Sequence, residues 1–393
     1  MESIDKYYRV YASINLDNIY TNVKNLKENT VAGTQMVAVI KTDGYGHGAV
    51  PIARIIDDQV AAYAVATIDE ALNLRRHNIK KPIYILGFIY EKRIEDAILN
   101  DVRMTVFQYE MAKAISDVAV GIGKIAKIHI KIDTGMSRIG FGICDENIEV
   151  IKSISKLPNV EIEGIFTHFV SSDSADKTKA NSQLESFEAF VQSLKDNDVD
   201  IKLVHCSNSA GIIDMPLANK TEVRAGIALY GLYPSDEVNR DAVKLYPAME
   251  LKSHVIYVKN VPAGTGISYG GTFVTDRETK VATIPVGYGD GYPRNLSNKG
   301  YVLINGRKCP ILGRVCMDQF MVDVTGLDVK EGDVVTLVGR DGDERISVEE
   351  LAELAETFNY EFVCNIGKRI PRVYYQDGKV ICMKDYFIDE YEI

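Results

Sequence analysis

Eight short apolar runs follow one another through roughly the first 231 residues, most of them separated by helix-patterned stretches. They occupy residues 36–40, 62–67, 82–87, 104–108, 125–133, 162–168, 203–207 and 223–229. Runs this short, rich in β-branched residues, read as buried strands. Between them, residues 69–76, 91–99, 146–156 and 183–194 repeat apolar residues every three or four positions. Eight strand–helix units in series predict an α/β fold of the (β/α)8 TIM-barrel type. A doubly wound open sheet is the alternative, and it rarely has eight such units. Ahead of the first run, Asp17 is placed to cap a helix reaching about Glu28.

Past about residue 245 the pattern changes. Residues 251–258, 280–285, 301–304, 320–324 and 334–338 are β-rich and separated by glycine turns. Ser347 with Glu350 forms a capping-box pattern ahead of a helix over 351–358. Residues 1–243 therefore read as a barrel domain and 244–393 as a smaller, mostly β domain. Net charge is −10, which argues against nucleic acid or an anionic membrane as a default partner. No apolar run is long enough to span a bilayer. The first nine residues lack a signal-peptide core, and the six cysteines form no C-x-x-C pair. Free thiols, a cytoplasmic location and no metal are the expectation.

A barrel gathers the carboxyl ends of its strands on one face, where chemistry is placed. After the first run come Lys41, Gly44, Tyr45, Gly46 and Gly48; the glycines would clear side chains away and leave Tyr45 room to aim its hydroxyl at a ligand. A desolvated lysine there loses its proton more easily and can form a Schiff base. Taken alone it is more often a lysine snorkelling off a strand end. The other ends carry Lys131 and Arg138, Thr167 and His168, Asn208 and Ser209, and Arg224, Gly226 and Ile227. Arg138 read singly is a surface ion-pair residue and His168 a core histidine; five polar ends together are harder to dismiss. The set suits pyridoxal 5'-phosphate. Lys41 would hold it, and backbone N–H groups near Ser209, Gly226 and Ile227, with the Ser209 and Tyr45 hydroxyls, would cradle the phosphate. Arg224 would face the ring.

These blocks resemble the alanine racemase family. Val-Ile-Lys41-Thr-Asp-Gly-Tyr45-Gly-His-Gly is similar to its cofactor-lysine motif. Further blocks surround Lys131 to Arg138, His168, Asn208-Ser209 and Arg224-Ala-Gly226-Ile227. In the second domain, Ile-Ser-Tyr269-Gly-Gly-Thr and Gly-Arg314-Val-Cys316-Met317-Asp318 complete the set. The resemblance implies a pyridoxal-phosphate-dependent isomerase that makes D-alanine for peptidoglycan. It assigns proton transfer on the D-face to Lys41 and on the L-face to Tyr269. It implies a head-to-tail homodimer in which Tyr269 reaches the partner's barrel. His168 and Arg224 would supply Tyr269 with a positive neighbourhood, and Arg224 would donate to the pyridine nitrogen. Arg138 would meet the ring oxygen and the substrate carboxylate, joined by the Met317 N–H. Lys131 would be carbamylated. Asn208 would stand with the cofactor contacts, and Tyr288, Arg314, Cys316 and Asp318 would support the substrate side. One position departs: Lys368 stands where many members carry a phosphate-contacting tyrosine, which opens the way to serine as well as alanine. A non-enzymatic cofactor-binding barrel and a decarboxylase of basic amino acids are the other readings. An arginine facing the ring nitrogen argues against the decarboxylase. No role follows from the sequence for the Asp43 and His47 side chains.

Overall fold

A computed structural model describes residues 9–387. Each of the eight runs overlaps a strand: β2 (Gln35–Val39), β3 (Ala62–Val65), β4 (Ile83–Ile85), β5 (Val102–Val106), β6 (Ala126–Lys131), β7 (Val160–Phe166), β8 (Leu203–His205) and β9 (Glu222–Ala225). They form a closed barrel in chain order, with β9 pairing parallel to β2. The last run is cut short: the backbone turns at Gly226, and Ile227–Tyr230 is a 3-10 turn. Helices Ile68–Arg76, Asp145–Ile154 and Thr178–Asp196 fall where periodicity predicts them. Thr67 caps the first, with Glu70 completing the box. A helix at Tyr109–Gly121, absent from the sequence reading, buries Ala112, Ile115 and Ala119.

The barrel interior is not wholly apolar. Glu222 is 1% exposed, and its Oε1 accepts from the Tyr84 hydroxyl at 2.9 Å. Burial pushes its carboxyl up from 4.5 to about 7. Between those values the folded chain binds the proton that the unfolded chain releases, so stability falls as pH rises through the window. Glu222→Gln is expected to gain about 2–3 kcal/mol on the wild type between pH 5 and pH 8 in urea unfolding. An equal difference at both pH values would refute the shift.

The second compact unit is built on an eleven-stranded sheet. Its path includes β1 (Val10–Asn15), β10 (Met249–His254), β11 (Tyr257–Val261), β14 (Thr279–Ile284), β15 (Tyr301–Ile304), β16 (Arg307–Leu312), β17 (Phe320–Asp323), β18 (Val334–Asp341), β20 (Arg372–Gln376) and β21 (Lys379–Lys384). β1 lies inside this sheet, antiparallel to β10 and parallel to β20. Among the described residues, 9–17 therefore group with 248–387 and with Tyr45–Gly48, while 18–44 and 49–247 form the barrel unit. The boundary read from the sequence gave β1 to the barrel; its pairing gives it to the sheet.

Three local expectations are corrected. Asp17 stands inside the first turn of helix Leu16–Glu28 and accepts from the Asp377 amide at 2.8 Å. The run 251–258 is two strands, because the chain changes partner there: the Val255 amide bonds to Asp333 and the Ile256 amide to Thr283. The late helix spans Val348–Leu354. Ser347 caps it, but the Glu350 carboxylate turns to the Tyr301 hydroxyl, and Glu356 takes φ 59° beyond its end.

Candidate active site

The candidate residues fall into two groups, one in each compact unit. In the barrel unit, Lys41 follows β2 and opens a left-handed turn. Thr42, Asp43 and Gly44 have φ of 54°, 48° and 63° with ψ of 46°, 53° and 46°. Each non-glycine residue in that conformation costs about 1–2 kcal/mol, so the turn needs anchors. The Gly44 amide bonds to Ile40 O at 2.8 Å and the Thr42 amide to Glu70 Oε1 at 2.6 Å. Asp43 Oδ1 accepts from the Ala49 amide at 2.9 Å, which gives that side chain the role its sequence position did not reveal.

Arg224 projects from β9 and is 3% exposed. Its Nη1 donates to His205 Nδ1 at 2.8 Å; its Nη2 donates to Thr167 O at 2.8 Å and to His168 Nδ1 at 3.3 Å. Burial lowers it to about 10, still a cation at neutral pH. His168 is pushed down to about 3 by burial and by the charges of Arg224, Arg138, Lys131 and Lys41. It is therefore neutral at neutral pH: Arg224 carries the charge, and the His168 ring accepts its hydrogen bond.

Lys131 is 2% exposed, bonded to Ile132 O at 2.7 Å, and lowered to about 8 by burial and by Arg224. Arg138 is exposed on the loop that Asp133 folds by accepting from the Gly135 and Ser137 amides. Ser209 Oγ accepts from the Gly226 amide at 2.9 Å and the Ala228 amide at 3.3 Å. Backbone donors thus converge on one oxygen where the short 3-10 turn begins at Ile227. Asn208 does a different job: it caps Ser209–Asp214, accepting from the Gly211 amide at 2.9 Å.

In the second unit, Tyr269 is 71% exposed and opens a 3-10 turn. Ser268 before it holds φ 63°, ψ −174°, a region rarely used except by glycine. Its hydroxyl donates to Arg314 O at 2.7 Å and lies 3.3 Å from Cys316 Sγ. Sequence reasoning passed over Ser268; only the backbone reveals it. The exposed Met317 carbonyl accepts from the Gly289 amide, and Cys316 O from the Tyr288 amide. Asp318 binds Arg369 at 2.8 Å, and Arg369 also reaches Asp290 at 3.2 Å. Lys368 beside it is exposed. Tyr45 is buried in this unit, its ring 6.1 Å from Tyr360. Gly46 and Gly48 leave room for Val363 O and the Tyr374 hydroxyl, so they serve close packing where the sequence suggested space for a ligand.

A family profile described as alanine racemase, N-terminal domain, matches residues 14–234, and one described as alanine racemase, C-terminal domain, matches 248–374. The chain is 45% identical over 382 residues to an alanine racemase of Clostridium novyi, covering 96% of this chain and 98% of that one. The chain belongs to the alanine racemase family. This family of isomerases depends on pyridoxal phosphate. The fold agrees with an alanine racemase of Clostridium difficile 630 at TM-score 0.92 and 39% identity, covering 96% and 99% of the two chains. It agrees with the Bacillus anthracis alanine racemase with bound L-Ala-P at TM-score 0.93 and 39% identity, covering 98% and 99%. The residues present fit the family's cofactor: the Ser209 hydroxyl, whose oxygen accepts from two amides and whose proton is left to donate, suits a phosphate oxygen, and a buried guanidinium suits a ring acceptor. No helix among the described residues is long and apolar enough to cross a membrane.

Proposed function

We propose that the protein interconverts L- and D-alanine by a two-base route in sites shared across a homodimer. The observation that carries this is the buried Arg224 bonded to His168, with the Gly226 and Ala228 amides gathered on Ser209 just past the same strand. Bound pyridoxal phosphate supplies an electron-accepting ring that lets the substrate Cα–H ionise. Lys41 would hold the cofactor, and its amine would take or return the proton on the D-face. Tyr269 of the partner protomer does the same on the L-face. Tyrosine has an ordinary pKa of about 10 and needs a nearby cation to act as a base. Arg224 provides it through neutral His168, whose Nδ1 accepts from the guanidinium and whose Nε2–H is left to donate. Amides at Gly226 and Ile227, with the Ser209 hydroxyl and Asn208 behind them, would hold the phosphate. Arg224 would keep the ring nitrogen an acceptor, which favours simple return of the proton.

Arg138 and the Met317 N–H bind the substrate carboxylate. Tyr288, Arg314, Cys316 and Asp318 support Met317 and Tyr269. Peptidoglycan synthesis is the use such D-alanine would serve. Purified holoenzyme given L-alanine is expected to lose optical rotation without releasing carbon dioxide. Release of carbon dioxide, or no D-alanine, would discard the reading.

Lys131, lowered to about 8, presents neutral amine to carbon dioxide near neutral pH; addition forms an N-carboxylate and releases a proton. That anion would fix Arg138. Crystals grown with bicarbonate are expected to show density continuing past Nζ, and a bare amine there would refute it. Lys368 is a point cation where an aromatic wall is usual, so serine is the expected second substrate. Lys368→Tyr is expected to lower the serine-to-alanine rate ratio; an unchanged ratio removes this selectivity role.

A further inference from the structure

The barrel interior below Arg224 holds a buried polar column that racemisation as described above does not use. His205 Nδ1 accepts from Arg224, so its proton sits on Nε2. That nitrogen lies 2.9 Å from His129 Nδ1, which must then accept and leave its own proton on Nε2. His129 Nε2 is 3.4 Å from Glu163 Oε2. Glu163 is held as a carboxylate by a two-point contact with Arg103, at 2.9 Å and 3.2 Å, and by Lys127 at 3.2 Å. Every link therefore points one way, from the guanidinium to the carboxylate.

Each ring packs against an aromatic neighbour. Phe166 stacks on His205 at 4.9 Å with 4° between planes, and Tyr84 lies 4.3 Å from the His129 ring centre. Register slips by one residue between Ile128 and His129 where β6 pairs with β7. Gly164 on β7 is the facing residue, and a Cβ there would strike the His129 ring at 2.5 Å. The strand pair is thus shaped to admit an imidazole. Burial keeps both histidines neutral.

We propose that His129 and Glu163 are positioning residues for Arg224: through two imidazoles of fixed tautomer they hold His205 Nδ1 bare toward the guanidinium. The proposal rests on the reading of Arg224 as the donor to the ring nitrogen. A His205 carrying Nδ1–H would set two donors against each other and push the guanidinium away from its place.

The test is selective 15N-histidine NMR on the full-length protein, with and without cofactor; the chain has only six histidines to resolve. His129 and His205 are expected to be Nε2-protonated and to stay neutral from pH 6 to 9. In His129→Phe, which keeps a flat ring and removes the acceptor, His205 is expected to populate both tautomers. Its kcat is expected to fall roughly tenfold with KM for alanine within about twofold. Nδ1–H on His205 in the wild type overturns the proposal, as does a His129→Phe protein with His205 and kcat unchanged. Should that variant not fold, the wild-type spectrum decides alone. Correct tautomers in a holoenzyme that leaves alanine untouched would instead remove the functional reading and keep the column.

Discussion

Lys41→Ala is expected to abolish alanine interconversion, with a loss beyond about 10⁴-fold. Two functions vanish together: the covalent hold on the cofactor and the D-face base. The variant should still bind pyridoxal phosphate, because Ser209 opens the helix after β8 and Arg224 projects from β9, and neither is replaced. It should not, however, retain the cofactor after borohydride reduction, and intact mass would show the bare chain. The left-handed turn is tied by backbone contacts to Ile40 and by Glu70, so an alanine at its head leaves it standing. A Lys41→Ala protein that carries reduced cofactor, or that racemises at wild-type speed, would end the assignment.

Tyr269→Phe is expected to cost about 10²–10⁴-fold in racemisation while sparing the opposite face. In D2O the variant should keep exchanging the Cα proton of D-alanine, because Lys41 serves that face, and should exchange L-alanine slowly. The two variants together also test how the sites are shared. Mixed dimers of Lys41→Ala with Tyr269→Phe contain one complete site of two. Random reassociation should then restore about a quarter of wild-type activity. If both bases come from one chain, mixing restores nothing. Loss of exchange from both enantiomers in Tyr269→Phe would sink the two-base scheme.

Much of this architecture was legible in the residue order. A closed barrel follows from eight short runs in series, since each run is a buried strand with its own crossover. Lys41, Arg224 and Ser209 stand out in the sequence because a barrel gathers the residues at its strand ends whatever the intervening loops do. What escaped was set by distant partners. β1 reads as a strand or as nothing until β10 and β20 are in place. The break between β10 and β11 depends on which neighbour each amide finds. Gly46 and Gly48 look like ligand space and are packing space, because the atoms filling it, at Val363 and Tyr374, lie more than 300 positions away. Charge states were also hidden. His168 has the residue type of a cation, yet burial among Arg224, Arg138, Lys131 and Lys41 makes it neutral. The strain at Ser268 has no signature in composition at all.

The place of β1 has a bearing on how the chain is made. Its partners, β10 and β20, begin more than 230 and 350 residues later. At elongation speeds of about 5–20 residues per second, β1 waits roughly 20 seconds or more for its last neighbour. The barrel strands that follow it pair only with one another, in chain order, while the Tyr45–Gly48 loop belongs with the later sheet. A fragment ending at residue 247 should therefore carry a protease-resistant barrel with two digestible places, the amino-terminal strand and the Tyr45–Gly48 loop.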